Sequence, residues 1–257
     1  MRLSDKLTGS IVKKVVRIAA ISDVHCARDS KHVLRPVFDQ IACEADVLLV
    51  CGDITHLGLP EEACVFLEQA VPVLNKIPVL CVLGNHDFES GKQDVLWEQL
   101  SEAGLIMMDG DNLEIYGVGF AGVKGFGGGF GRMAVHPWGE QVIKDFVKEI
   151  DIEAKKLETG LSKLDLGPRI VVMHYAPIRD TVVGEPPELF PFLGSSRLEE
   201  PLNRFAVTAV FHGHAHQGCF EGKTGANVPV YNVAVAVLKQ RFPERPPFFM
   251  LEVPVKN

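Results

Sequence analysis

Two aspartates, an asparagine and several histidines recur at one kind of place in this 257-residue chain, just past short apolar runs. The run "VVRIAAIS" (15–22) is followed by Asp23 and His25, "DVLLVC" (46–51) by Gly52 and Asp53, and "IPVLCVL" (77–83) by Gly84, Asn85, His86 and Asp87. Further on, "RIVVM" (169–173) meets His174, and the run 207–211 meets His212, Gly213, His214 and His216. Mixed oxygen and imidazole donors suit Zn, Fe, Mn or Ni better than Ca, which prefers all-oxygen sites. There are too many donors for a single tetrahedral ion, so two divalent ions sharing a bridging carboxylate is the economical expectation. Paired ions about 3.5–4 Å apart stabilise both the attacking and the leaving oxygen in phosphoryl transfer. Two such ions, two carboxylates and a bridging hydroxide leave about one positive charge, which attracts an anionic substrate.

Taken singly, none of these residues is diagnostic. An aspartate after a strand is commonly a helix N-cap or a turn former. "GNHD" alone reads as a turn, and "HGHAH" alone as a surface loop or a single metal site. The weight lies in five strand ends doing the same thing. Other side chains lie close to these blocks and carry two readings each. His212 is a histidine hydrogen-bonded to backbone at a strand end, or a further donor. His56 faces substrate or solvent. Arg28 holds a phosphate oxygen or is an ordinary surface arginine. His136 and Trp138 cover the site as a lid, or belong to a plain loop.

The elements that must position these groups follow from the same runs. Each is short and rich in Val, Ile and Leu, as strands buried on both faces are. Segments 31–44 and 61–75 read as helices, the second opening on Pro60, Glu61 and Glu62. The order β-α-β-α-β implies a parallel sheet with right-handed crossovers. In such sheets ligands bind at the carboxyl ends of the strands, so five strand ends bring the donors to one edge. Gly52, Gly84 and Gly213 allow sharp turns and close approach there. A third helix is expected over 92–103 and a long one from Glu140 to about Leu157. "LEIYGVGFAG" reads as short strands, 124–139 as a glycine-rich loop and 178–198 as a surface loop. "VPVYNVAVAVL" and "PFFMLEVPV" read as antiparallel strands. Two glycine motifs are set aside: "GVGFAG" opens no helix, and "GFGGGFGR" lacks the G-K-[ST] ending of a phosphate loop. No repeat or linker divides residues 1–257, which read as one domain.

The five blocks, Asp23-Val24-His25, Gly52-Asp53, Gly84-Asn85-His86-Asp87, His174 and Gly213-His214-Ala215-His216, resemble the calcineurin-like metallophosphoesterase family. Its pattern runs D-x-H, G-D, G-N-H-[DE], a lone H, then G-H-x-H, and "GDITHLG" is similar to the "GDxTxxG" of bacterial phosphodiesterase members. The resemblance implies an α/β fold: a four-layer αββα sandwich of two mixed sheets flanked by helices. It implies that Asp23, His25 and His216 bind one metal, that Asn85, His174 and His214 bind the other, and that Asp53 bridges. It makes His86 a phosphate contact or the acid for the leaving oxygen, and Asp87 the group that orients it. Asn85, Arg28 and His56 are further candidate substrate contacts. The implied activity is hydrolysis of a small soluble phosphodiester or phosphomonoester, a nucleotide among the possibilities, by a metal-bridging hydroxide. A nuclease and a non-catalytic scaffold of the same fold are the alternatives.

Composition bounds the partners. Net charge is −7, with no basic block of five or more residues, which gives no footprint for general nucleic-acid binding. No apolar stretch approaches the roughly eighteen residues of a membrane span. The opening "MRLSDKLTGSIVKKVV" has no apolar core ahead of a small-residue cleavage site, so no secretory signal is expected. Six cysteines without a CxxC pair then point to free thiols in a reducing cytoplasm. An apolar edge near the C-terminus would suit a homo-oligomer.

Overall fold

The computed structural model describes residues 13–30, 33–165 and 167–255. The first three apolar runs form β1 (Val15–Ile21), β2 (Val47–Cys51) and β3 (Val79–Val82), joined by β4 (Ile106–Met107). These strands run parallel in that order, and β11 (Phe249–Pro254) borders β1 antiparallel. The second sheet runs β5 (Asp111–Ile115), β6 (Val118–Gly122), β7 (Arg169–Val172), β8 (Ala209–His212), β10 (Pro229–Asn232), β9 (Glu221–Lys223). Its four inner strands are parallel, and β5 and β9 border it antiparallel.

Three layers of apolar packing hold the sheets. Helices α1 (Arg35–Glu44), α2 (Pro60–Leu74) and α3 (Gln93–Glu102) cover one face of the first sheet, with Phe38, Phe66 and Leu96 on Ile21, Val50 and Cys81. Between the sheets, Ile18, Leu49 and Leu80 meet Phe120, Ile170 and Phe211. On the far side, α4 (Gln141–Ser162) and α6 (Ser196–Arg204) set Leu157, Leu161, Leu198 and Leu202 against Val171 and Val210. Short α5 (Phe190–Leu193) precedes α6, and α7 (Val235–Arg241) follows β10. The result is a helix–sheet–sheet–helix sandwich. In β1, Ile18 and Ala20 face the other sheet while Ala19 and Ile21 face the helices, which is why the run carries no polar alternation. Each fully buried Val, Leu, Ile or Phe of these layers contributes about 1.5–3 kcal/mol of transfer free energy.

Four expectations need correction. Helix α1 begins at Arg35, one residue ahead of Pro36; residues 31 and 32 of the expected helix lie outside the described residues. Helix α4 runs on past Leu157 to Ser162, because Gly160 brings it against the sheet: a Cβ there would lie 3.2 Å from the Gly110 carbonyl. The valines of "VPVYNVAVAVL" alternate like a strand, yet 235–241 is helical. Buried Ala234, Val237 and Leu238 show the i, i+3, i+4 spacing, and β10 itself pairs parallel with β8. Segment 178–198 is not simply surface: Ile178, Thr181, Val182 and Leu193 are buried. "GVGFAG" opens no helix, as expected: it forms β6, paired antiparallel with β5 across a turn at Tyr116 and Gly117 with φ of 54° and 78°.

Candidate metal centre

The five strand ends do converge, but from two sheets: β1, β2 and β3 in one, β7 and β8 in the other. Backbone hydrogen bonds tie the turns that follow. Asp23 N–H donates to Gly52 O (3.1 Å), His25 N–H to Asp53 O (3.0 Å) and Gly213 N–H to His174 O (3.1 Å). Among the described residues, six non-glycine residues have positive φ, and four of them are Asp23 (56°), His25 (43°), Asp53 (50°) and His214 (71°). Left-handed backbone costs such residues about 1–2 kcal/mol each. Strain of this kind clusters at active sites and ligand clamps, and here it falls on four candidate donors. Packing there leaves no room for side chains between donors: a Cβ on Gly84 would sit 2.2 Å from Asp53 Oδ1, and one on Gly213 2.1 Å from Asp23 Oδ2.

Among the described residues donor atoms fall into three groups, within 4.8 Å of one another in each; one is His25, His56 and His86, and the other two share Asp53. Asp23, His25, Asp53 and His216 make the first of that pair. His216 Nε2 lies 2.9 Å from Asp23 Oδ1, and His25 Nε2 lies 3.3 Å from His216 Nε2 and 3.8 Å from Asp53 Oδ2. Asp53, His174 and His214 make the second, and Asn85 Oδ1 joins it 2.9 Å from His174 Nε2. Asp53 Oδ1 is 3.4 Å from that same nitrogen. Asp53 thus divides its two oxygens between the groups. Its Oδ2 is buried and without a hydrogen-bond partner, as is His25 Nδ1. Carboxylate, carboxamide and imidazole donors around an orphaned carboxylate oxygen fit divalent transition metals.

The electrostatics suit a bound cation. Burial, then Asp23 and Asp87, pushes the Asp53 carboxyl up to about 9. Burial also works against Asp23, but the His216 hydrogen bond, His174 and the His214 N–H hold it well below the usual carboxylate range. Burial lowers His25 to about 4 and draws His174 and His214 below the ordinary histidine value, so these imidazoles stay neutral, the form that binds metal. His216 moves the other way, raised by Asp23. Backbone carbonyls fix three tautomers: His174 Nδ1 donates to Cys51 O (2.9 Å), His214 Nε2 to Phe192 O (3.0 Å) and His86 Nδ1 to His56 O (2.7 Å). Each leaves the opposite nitrogen with its lone pair for the site.

Asp87, expected to orient His86, makes no hydrogen bond to its ring. It is fully buried and accepts from Thr55 N (2.9 Å), Thr55 Oγ1 (2.6 Å), Gly84 N (2.9 Å) and Ile54 N (3.3 Å). It stitches the turn after β3 to the turn after β2, while the His56 carbonyl holds the His86 ring. The His56 ring is exposed, 5.9 Å from the His86 ring and 6.1 Å from that of His25. Arg28 is exposed and faces Glu61 at 3.5 Å. His212 is buried, bonded to Thr181 Oγ1 (2.8 Å) and Gly213 O (2.8 Å). His136 and Trp138 are exposed.

Some contributors were not foreseen. The Tyr175 ring lies 4.5 Å from that of His214, and Asn232 Nδ2 holds Ala215 O at 2.7 Å, which shapes the His214–His216 turn. Thr55 was visible within "GDITHLG"; Tyr175 and Asn232 sit beside the blocks with no signal of their own.

Comparison with known proteins bears on this arrangement. Residues 16–218 match the family model described as calcineurin-like phosphoesterase. Among solved structures, a phosphopantetheinyl hydrolase from Mycobacterium tuberculosis superposes with a TM-score of 0.64 at 16% identity, over 91% of this chain and 95% of that one. TT1561 of Thermus thermophilus gives 0.53 at 15% identity, over 94% and 100%. Both are likenesses of fold. An uncharacterized protein of Methanocaldococcus jannaschii is 38% identical over 74 residues, which is 29% of this chain and 30% of that protein. The family match runs from β1 through the last of the five donor blocks, and the chain belongs to the calcineurin-like phosphoesterase family.

Proposed function

We propose that the protein is a dinuclear metal-dependent hydrolase of small phosphate esters, diester or monoester, and that residues 1–257 work as one domain. Asp23, His25 and His216 would hold one ion, Asn85, His174 and His214 the other, with Asp53 shared. The observation that carries this reading is Asp53, whose two oxygens are divided between two donor groups, one of them buried and unpartnered. Bound there, two divalent ions would supply Lewis-acid activation of water and of the phosphoryl oxygens.

The chain's own residues do the rest. His86, with Nδ1 donating to the His56 carbonyl, presents Nε2 to the site and serves as phosphate contact or as acid for the leaving oxygen. Asp53 Oδ1 accepts the His86 backbone N–H at 2.8 Å, which ties the turn carrying His86 to the shared carboxylate. His56 borders His86 and is a second substrate contact. Arg28 stays with Glu61 and receives no role. The net charge of −7 favours a small ester over nucleic acid. Among the described residues no helix is long and apolar enough to cross a membrane. All six cysteines are free thiols, which supports a reducing compartment.

The deciding experiment is elemental analysis of the purified protein together with hydrolysis of bis-p-nitrophenyl and p-nitrophenyl phosphate with Mn added. Two metals per chain with turnover is the expected result, and the diester-to-monoester ratio then assigns the subclass. No metal and no turnover with any divalent ion would leave the scaffold alternative standing.

A further inference from the structure

A cavity of about 250 Å³ borders the turn after β3, lined by Leu83 and Met108, the rings of Phe88 and Trp97, and Lys124. Most of its other charges are already matched or solvated. Lys156 binds Asp109 (2.8 Å) and Glu153 (2.7 Å), and Glu153 also accepts the Gly125 N–H (2.7 Å). Asp94 is exposed in the first turn of α3, and Glu149 is half-buried on α4.

Lys124 is different. Its ammonium donates to the Gly125 carbonyl (2.8 Å) and lies over three rings, Phe126 at 4.8 Å, Tyr175 at 5.3 Å and Phe88 at 5.5 Å. Among the described residues no carboxylate stands within ion-pair distance of it. Ring faces offset part of the cost of taking an ammonium out of water. A charge so placed still favours an opposite charge brought by a ligand.

Three connections join Lys124 to the candidate metal centre. The Lys124 carbonyl accepts the N–H groups of His174 (3.0 Å) and Tyr175 (3.1 Å). The Tyr175 ring, over which Lys124 sits, also packs on His214. Phe88, on the cavity wall, belongs to the single helical turn that begins with His86. Phe88 thus spans from the His86 turn to the Lys124 ammonium, 5.5 Å from its ring.

We propose that this cavity receives the alcohol half of the substrate and that Lys124 is a specificity residue for a second anionic group on it. The substrate class is then phosphate esters that carry a second phosphate or carboxylate. The inference rests on the hydrolase reading above.

Isothermal titration of the Mn-loaded protein with adenosine 5′-monophosphate and adenosine 3′,5′-bisphosphate tests it. The bisphosphate is expected to bind about tenfold tighter or more, the worth of one charge-assisted hydrogen bond. Lys124→Met should bring the two affinities within about twofold, and Lys124→Arg should keep most of the difference. Equal affinities in the wild type overturn the inference even if Lys124→Met fails to fold. Equal weakening of both probes by that variant overturns it too, because the lysine would then support the centre and not a second anion. If p-nitrophenyl phosphate is turned over while the bisphosphate has no advantage, only this inference falls. If neither metal nor any probe binds, the hydrolase reading falls with it.

Discussion

Strand β2 has an aspartate beyond each end, and the two live in opposite surroundings. Asp46, just before Val47, accepts from Lys13 Nζ (2.6 Å), Arg17 N (2.8 Å) and the Arg17 guanidinium (3.1 and 3.4 Å). Although burial pulls the other way, those bonds hold its carboxyl below the usual range. Asp53, two residues past Cys51, accepts one N–H from His86, keeps one oxygen unpartnered and is pushed up to about 9. Both are buried aspartates bordering one strand, but Asp53 lies deeper, and protein groups complete the shell only at Asp46. At the amino end of the sheet the shell is complete and the charge serves stability. At the carboxyl end it is left open, and the free energy withheld from folding is available to a ligand.

The contrast can be broken most severely at Asp53. Asp53→Asn should lower phosphoesterase activity by about a thousandfold or more and cost bound metal, because removing one residue disturbs both donor groups. Metal content by elemental analysis and steady-state rates check it. His86→Ala should cost about 10²–10⁴-fold in kcat, the usual worth of a positioned acid, with two metals retained. Loss of metal from that variant would mean that His86 is a ligand after all.

Stability against pH sharpens the comparison. In chelator-treated protein Asp53 has a folded pKa raised above its unfolded value of about 3.9, so the folded state alone holds that proton between the two. Its contribution to stability is complete below the unfolded pKa and is lost as pH rises toward about 9. Urea midpoints across that window should decline, and Asp53→Asn should flatten the decline. Asp46 has the reverse sign. Its folded pKa is depressed, so its contribution is complete above about pH 4 and is lost as pH falls through the folded value. Asp46→Asn should cost about 1–2 kcal/mol near neutral pH, since Arg17 and Lys13 are partly solvated, and leave metal content unchanged. The smallest effect is expected at Thr55→Val, which removes the hydroxyl bond to Asp87: about 1 kcal/mol in thermal or urea unfolding, and a few-fold in rate.

Much of the candidate site was legible because its candidate donors fall at strand ends, where a polar residue after a buried run has no packing reason to be there. Asp23, Asp53 and His174 each break an apolar run of β-branched and aliphatic residues. The strands were legible for the same reason: burial on both faces removes alternation, so Leu48, Leu49 and Val50 stand in an unbroken run. What stayed hidden depends on groups that meet only in the folded chain. Nothing in "GNHD" says that Asp87 turns back to Thr55 while a carbonyl from another turn takes the His86 ring. Nor does the valine alternation at 233, 235 and 237 reveal that residues 234, 237 and 238 face the core. Lys124 lay inside a glycine-rich stretch where one lysine looks solvated, and only the fold sets three rings around it.

The two donor groups that share Asp53 each draw on both sheets. The first takes Asp23, His25 and Asp53 from one and His216 from the other; the second takes Asn85 and Asp53 from one and His174 and His214 from the other. Ions seated there would act as a clasp across the seam. Slippage of one sheet along the other by a single residue, about 3.3 Å, would exceed the tolerance of both coordination shells at once. Metal affinity would then be a gauge of register between the two halves of the sandwich. A lesion deep in the inter-sheet core, far from any donor, would register first as weaker metal retention and only later as unfolding.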